Sequence, residues 1–152
     1  MSKPFTYQDL QQKLAAGTIA GMPTNAPLSH GDGAKRAMSE EALQSACITW
    51  FAEHYPALWQ AKRLWAIPNA AKRGKALAAA MKRTGMVAGV SDLMLSVPRG
   101  PWAGMFIELK VGNNSLSAHQ EAFIKEHERE YYCVVCWTQE SFIEEVKKYL
   151  NQ

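Results

Sequence analysis

A chain of 152 residues with 47% hydrophobic and 20% charged side chains has the make-up of one globular domain, which excludes a fibrous or disordered polymer. No apolar run approaches the ~20 residues of a bilayer-spanning helix, and the opening MSKPFTYQDL lacks the apolar core of a secretory signal, so no membrane association is expected. The net charge of +3 is nearly balanced but unevenly spread: no acid lies between Glu53 and Asp92, while Lys62, Arg63, Lys72, Arg73, Lys75, Lys82 and Arg83 crowd that window. Such a block is either a footprint for a polyanion or a solvated helix face.

Along the chain, Thr6 is a helix cap for a short helix ending at Ala16 before Gly17. Residues 17–37 are rich in Gly, Pro, Asn and Ser and carry no apolar period, so residues 1–38 read as an N-terminal arm and 39–152 as the compact domain. Ser39 predicts an N-cap, followed by a helix with Leu43, Cys47, Trp50, Phe51 and His54 at helical spacing, closed by Pro56. Arg63 to Ile67 predicts a short strand stopped by Pro68-Asn69. Lys72 to Thr84 predicts an Ala-rich helix with Gly85 as its C-cap, its alanines and Leu77 available to pack on a sheet. Asp92–Val97 and Met105–Val111 flank Pro98-Arg99-Gly100-Pro101 and read as a β-hairpin. Ser117 caps a helix to about Arg129, Tyr131–Trp137 is a buried strand, and a final amphipathic helix carries Phe142, Ile143, Val146 and Leu150. The order α-β-α-β-β-α-β-α predicts an α/β fold, a single mixed sheet with helices on its faces.

The hairpin carries the chemistry. Side chains two apart share a strand face, so Glu108 and Lys110 point the same way. A hairpin turning about Gly100 pairs residues whose numbers sum to about 200, which sets Asp92 opposite Glu108. Two ionised carboxylates side by side repel, and a hard divalent cation such as Mg²⁺ or Mn²⁺ offsets that repulsion. The neighbouring lysine adds positive charge that can steady an attacking water or a phosphate. The alternative is a solvated cross-strand network without function. On a helix, Lys72, Lys75, Lys82 and Arg83 share one side, and a basic stripe beside a metal-binding carboxylate pair suits phosphodiester cleavage.

Glu40-x-x-x-Gln44, Ile67-Pro68-Asn69-Ala-Ala-Lys-Arg73, Gly85-x-x-x-Gly89-x-x-Asp92-Leu93, Ile107-Glu108-Leu109-Lys110 and Leu116-Ser117-x-x-Gln120 occur in an order that resembles the VRR-NUC (virus-type replication-repair nuclease) domain, a branch of the PD-(D/E)XK nuclease superfamily. The resemblance spans about residues 39 to 150 and implies a restriction-endonuclease-like core. It implies Asp92 and Glu108 as metal ligands, joined by the Leu109 carbonyl, with Lys110 as the catalytic lysine. Glu40 matches the first-helix glutamate that orients the metal, with Glu41 as its alternative, and Gln120 and Gln44 match the family's two glutamines. Asn69 and Arg73 match a DNA-contacting loop, and Lys72, Lys75, Lys82 and Arg83 extend the same face. Val90-Ser91 stands before Asp92 where the family often has proline, which alters the turn and leaves the chemistry intact.

Taken together, these features lead to an expectation of an Mg²⁺-dependent deoxyribonuclease, with Mn²⁺ as substitute. The resemblance implies a structure-selective endonuclease acting as a homodimer on branched or duplex DNA in replication, repair or recombination. The alternatives are a non-catalytic nucleic-acid-binding module and an RNA-cleaving enzyme on the same fold. No small-molecule cofactor is expected. Three cysteines without a signal point to a reducing, cytoplasmic setting, in a bacterial or phage-infected cell. Cys133-x-x-Cys136 lacks a second pair and reads as core cysteines and not zinc ligands. His119 is a surface histidine near the site. Trp102, at the hairpin tip, is the indole expected to be exposed, with Trp50, Trp59, Trp65 and Trp137 in the core or an interface.

Overall fold

The computed structural model describes residues 38–68 and 75–152. The expected Thr6–Ala16 helix and the arm to residue 37 lie outside the described residues, as do Asn69, Lys72 and Arg73.

Helix α1 (Glu40–His54) starts where Ser39 Oγ accepts a hydrogen bond from the Ala42 N–H at 3.1 Å, with Glu40 and Glu41 at the positive end of the helix dipole. Leu43, Cys47, Trp50 and Phe51 form its buried side. Pro56 ends this helix and also opens α2 (Pro56–Gln60), a single turn that the sequence pattern did not predict. Proline suits a first helical position, where its missing N–H costs nothing. Strand β1 (Leu64–Ala66) is shorter than the predicted Arg63–Ile67. Both flanking residues still bond across to the next strand: the Ser96 N–H donates to the Arg63 carbonyl and the Ile67 N–H to the Asp92 carbonyl.

Helix α3 (Lys75–Arg83) ends in a Schellman motif, with the Gly85 N–H on the Lys82 carbonyl, the Met86 N–H on the Met81 carbonyl, and Gly85 at φ +97°. Its expected packing on the sheet is not found. Leu77 is 49% exposed and no side chain described on this helix is buried. Alanine contributes too little apolar area to seat a helix firmly, so α3 lies at the surface with Lys82 and Arg83 exposed.

Strands β2 (Leu93–Leu95) and β3 (Met105–Leu109) pair antiparallel, Leu93 with Ile107 and Leu95 with Met105, in the register that a turn about Gly100 requires. Helix α4 (Ala118–His127) then crosses to β4 (Tyr132–Cys136), which runs parallel to β3, and α5 (Gln139–Leu150) closes the chain. The sheet order β1-β2-β3-β4 makes it mixed, as expected. It also makes β4 an edge strand, and four of its five residues are only half-buried, which corrects the expectation of a buried strand.

The core lies on one face of the sheet, where Leu93, Leu95, Met105, Ile107, Leu109 and Cys136 meet Leu43, Cys47 and Phe51 of α1 and Phe142, Val146 and Tyr149 of α5. The other face of β3 presents Phe106, whose ring lies against Phe123 of α4 at 5.0 Å, followed by Glu108. Cys133 pairs with Phe106 and Cys136 with Leu109, so the two cysteines face opposite sides of the sheet. Cys136 is fully buried and Cys133 half-buried, and burial pushes both thiols up to about 11. Trp102 is half-buried against Tyr132, which corrects its expected exposure, while Trp65 and Trp137 are exposed and lie outside the core. Among the described residues, no helix is long and apolar enough to cross a membrane.

Candidate active site

The site forms where the β2–β3 ladder runs out. Asp92 lies one residue before the last pair, Leu93 with Ile107, so the strand direction carries its side chain to the end of β3. There its Oδ2 accepts the Leu109 N–H at 2.8 Å. A strand residue's N–H and C=O leave on the same side, so the Leu109 carbonyl is directed toward Asp92 as well.

Glu108 is 2% exposed. Its Oε1 takes two donors: the Lys110 ammonium at 2.9 Å and the side-chain amide of Gln120. Its Oε2 is buried without a hydrogen-bond partner. Burial pushes the Glu108 carboxyl up to about 7; the bond and charge of Lys110 oppose the rise, while the charges of Asp92 and Glu40 add to it. A buried carboxylate oxygen with no donor is costly, and carboxylates are seldom left so unless something binds them.

Gln120 owes its orientation to the start of α4. Ser117 Oγ accepts the Gln120 N–H, and Gln120 Oε1 accepts the Ser117 N–H at 2.9 Å, a reciprocal capping box. With Oε1 engaged in the cap, the amide must present its NH₂ to Glu108. Gly89 brings the loop before Asp92 onto this same helix end, since a Cβ there would lie 2.6 Å from His119 Cβ and 2.7 Å from its backbone carbonyl.

Glu40 reaches the site from the first turn of α1. It is half-buried, its Oε1 accepts the Asn114 side-chain amide at 3.3 Å, and its charge is felt at Glu108. Glu41 is exposed. Gln44, one turn on, is half-buried, and His119 is exposed as expected. Lys82 and Arg83 are exposed in the last turn of α3, and Lys75 stands at its start. Asn114 was not anticipated, because an asparagine in a polar loop carries no periodic signal.

The donor set suits a small hard cation: the free oxygen of Glu108, the carboxylate of Asp92 and the Leu109 carbonyl are all oxygens. Among the described residues no three His, Cys, Asp or Glu side chains gather to hold a metal by themselves. Two carboxylates and a carbonyl fit an ion that keeps several waters, as Mg²⁺ does, better than they fit zinc.

The family model of the VRR-NUC domain matches residues 38–146. A solved VRR_NUC domain protein shares the fold, with a TM-score of 0.64 at 24% sequence identity over 76% of this chain and 91% of that one. Comparison with the curated proteins gives no significant match.

Proposed function

Because the chain belongs to the VRR-NUC domain family, a family of nucleases, we propose that it is a metal-dependent endonuclease cutting DNA phosphodiesters, with a preference for branched or frayed duplexes. The observation that supports this reading most directly is the buried, unpartnered Oε2 of Glu108 next to Asp92. A module that only binds nucleic acid gains nothing from two carboxylates facing a polyanion, and leaving one of them unsatisfied weakens its fold.

Asp92, Glu108 and the Leu109 carbonyl would hold Mg²⁺ or Mn²⁺, with Glu40 alongside. Bound there, the ion supplies Lewis acidity to the scissile phosphate and acidity to the attacking water. The chain's own residues supply orientation. Gln120 and Lys110 both donate to Oε1 of Glu108, which leaves Oε2 as its free ligand atom. Lys110 spends one of three ammonium hydrogens on Glu108 and keeps the others for a phosphate oxygen or the attacking water. Asp92 is fixed at both its carbonyl, by the Ile67 N–H, and its carboxylate, by the Leu109 N–H. Lys82 and Arg83, exposed in the last turn of α3, would supply positive charge for the DNA backbone.

Cleavage of end-labelled duplex, flap and four-way-junction DNA, with Mg²⁺, Mn²⁺ or EDTA, tests the reading. The wild-type chain is expected to cut only with metal, and Lys110→Ala to cut about 100-fold or more slowly while binding DNA nearly as well. Tight binding without cutting in either metal would overturn the enzyme assignment.

A further inference from the structure

Trp137 follows β4 directly, beside the strand end that carries Glu108 and Lys110; the Lys110 N–H donates to the Cys136 carbonyl at 2.9 Å. Its indole is 45% exposed, yet it is not free to swing. Nε1 donates to the Asn114 carbonyl at 3.4 Å, and the Asn114 amide donates in turn to Oε1 of Glu40 at 3.3 Å. The Asn114 N–H bonds back to the Val111 carbonyl, so a single tight turn holds both the indole edge and a site carboxylate. An indole held at its polar edge and bare on much of the rest is a large apolar surface kept in water at the rim of the site. The other exposed indole, Trp65, lies on β1 at the opposite edge of the sheet.

We propose that Trp137 is a stacking platform for a nucleobase of the cut strand, next to the scissile phosphate. The proposal rests on the nuclease reading above and narrows its substrate. Every base has an apolar π-face that stacks on an indole irrespective of sequence, whereas a base inside a continuous duplex has both faces covered. A platform at this rim therefore selects strands with a terminal or unpaired base, such as forks, flaps and junction arms. It also supplies selectivity without reading sequence.

Binding of the full chain, in EDTA, to a single strand, a forked duplex and a continuous duplex of the same sequence tests this by fluorescence anisotropy across a salt series. Trp137→Ala is expected to raise Kd roughly ten-fold for the single strand and the fork, and to leave the continuous duplex within about two-fold. The slope of log Kd against log salt stays unchanged, because no phosphate contact is lost. Trp137→Phe retains most of the affinity, and Trp65→Ala, equally exposed, has no effect. With the wild-type chain alone, 2-aminopurine at the unpaired position beside the cut should be quenched on binding. Binding of the single strand and the fork by Trp137→Ala as tightly as by the wild type, or 2-aminopurine emission indifferent to the wild-type protein at every position, would overturn the platform. A wild-type chain that neither binds nor cuts any of these DNAs would instead remove the nuclease reading, and the platform with it. Normal cutting together with an indifferent Trp137 removes the platform alone.

Discussion

Glu108→Gln is expected to make the metal-free protein more stable and the loaded protein inactive. Glutamine keeps the shape and the bonds to Lys110 and Gln120 but has no charge to bury. The sign follows from the carboxyl's shift from an ordinary 4.5 to about 7. Between those values the folded chain holds a proton that the unfolded chain has released. The group's contribution is therefore full below pH 4.5 and lost as pH rises through about 7. A shift of this size corresponds to roughly 3 kcal/mol at about 1.4 kcal/mol per unit. Thermal melts in EDTA should place Glu108→Gln several degrees above wild type at pH 8, with the gap closing toward pH 5. Added Mg²⁺ should raise the wild-type melt and leave the variant unmoved, while cleavage falls by about three orders of magnitude as several kcal/mol of charge stabilisation disappear. A variant that melts at or below wild type at pH 8 would contradict this account of the buried acid.

Gly89→Ala is the second large effect, and it acts on geometry. Gly89 sits at φ +85°, where an L side chain is strained by about 1–2 kcal/mol, and the added Cβ would meet backbone atoms of His119 that cannot step aside. Asp92 stands three residues beyond Gly89, and Gln120 directly follows His119. Relief of the clash therefore parts the loop carrying one acid from the helix that orients the other. We expect a loss of about 3 kcal/mol in stability and of nearly all cleavage at temperatures where the variant is still folded. Gly85→Ala is the control: its φ is +97°, but a Cβ there meets nothing within 4 Å. It should cost about 1 kcal/mol and leave cutting near normal. Equal losses in the two variants, by urea melts and cleavage rate, would show that conformation alone matters at both glycines.

The parts of the site that could be read beforehand are those set by short-range chemistry. The Gly100 turn dictates a pairing sum of 200, and a slip of one residue would turn every side chain of β3 to the wrong face, so Asp92 and Glu108 follow from the hairpin alone. Ser39 and Ser117 cap their helices through bonds that span three residues. Glu40 and Glu41 could not be separated this way. Adjacent residues on α1 differ by 100° of rotation, and only contact with the loop holding Asn114 shows which one turns inward. The exposure of Trp102 and Trp137 is illegible in the sequence for a related reason. Their exposure depends on β4 being an edge strand, a property of sheet order that no local pattern encodes. Leu77 reads as available to pack on the sheet with the alanines around it, but a nine-residue helix with four alanines is held too shallowly to cover it.

Gln120 closes the first turn of α4 and grips Glu108 with the same side chain. Fraying, which at most helix ends is a harmless fluctuation, here lets go of the buried carboxylate proposed to hold the cation. Warming should therefore loosen the grip on the cation while the sheet is still whole, and amide exchange at Ser117 and Gln120 should slow sharply once the cation binds. On the proposed reading, cleavage is expected to fail on warming through the breathing of this one helical turn before the core melts.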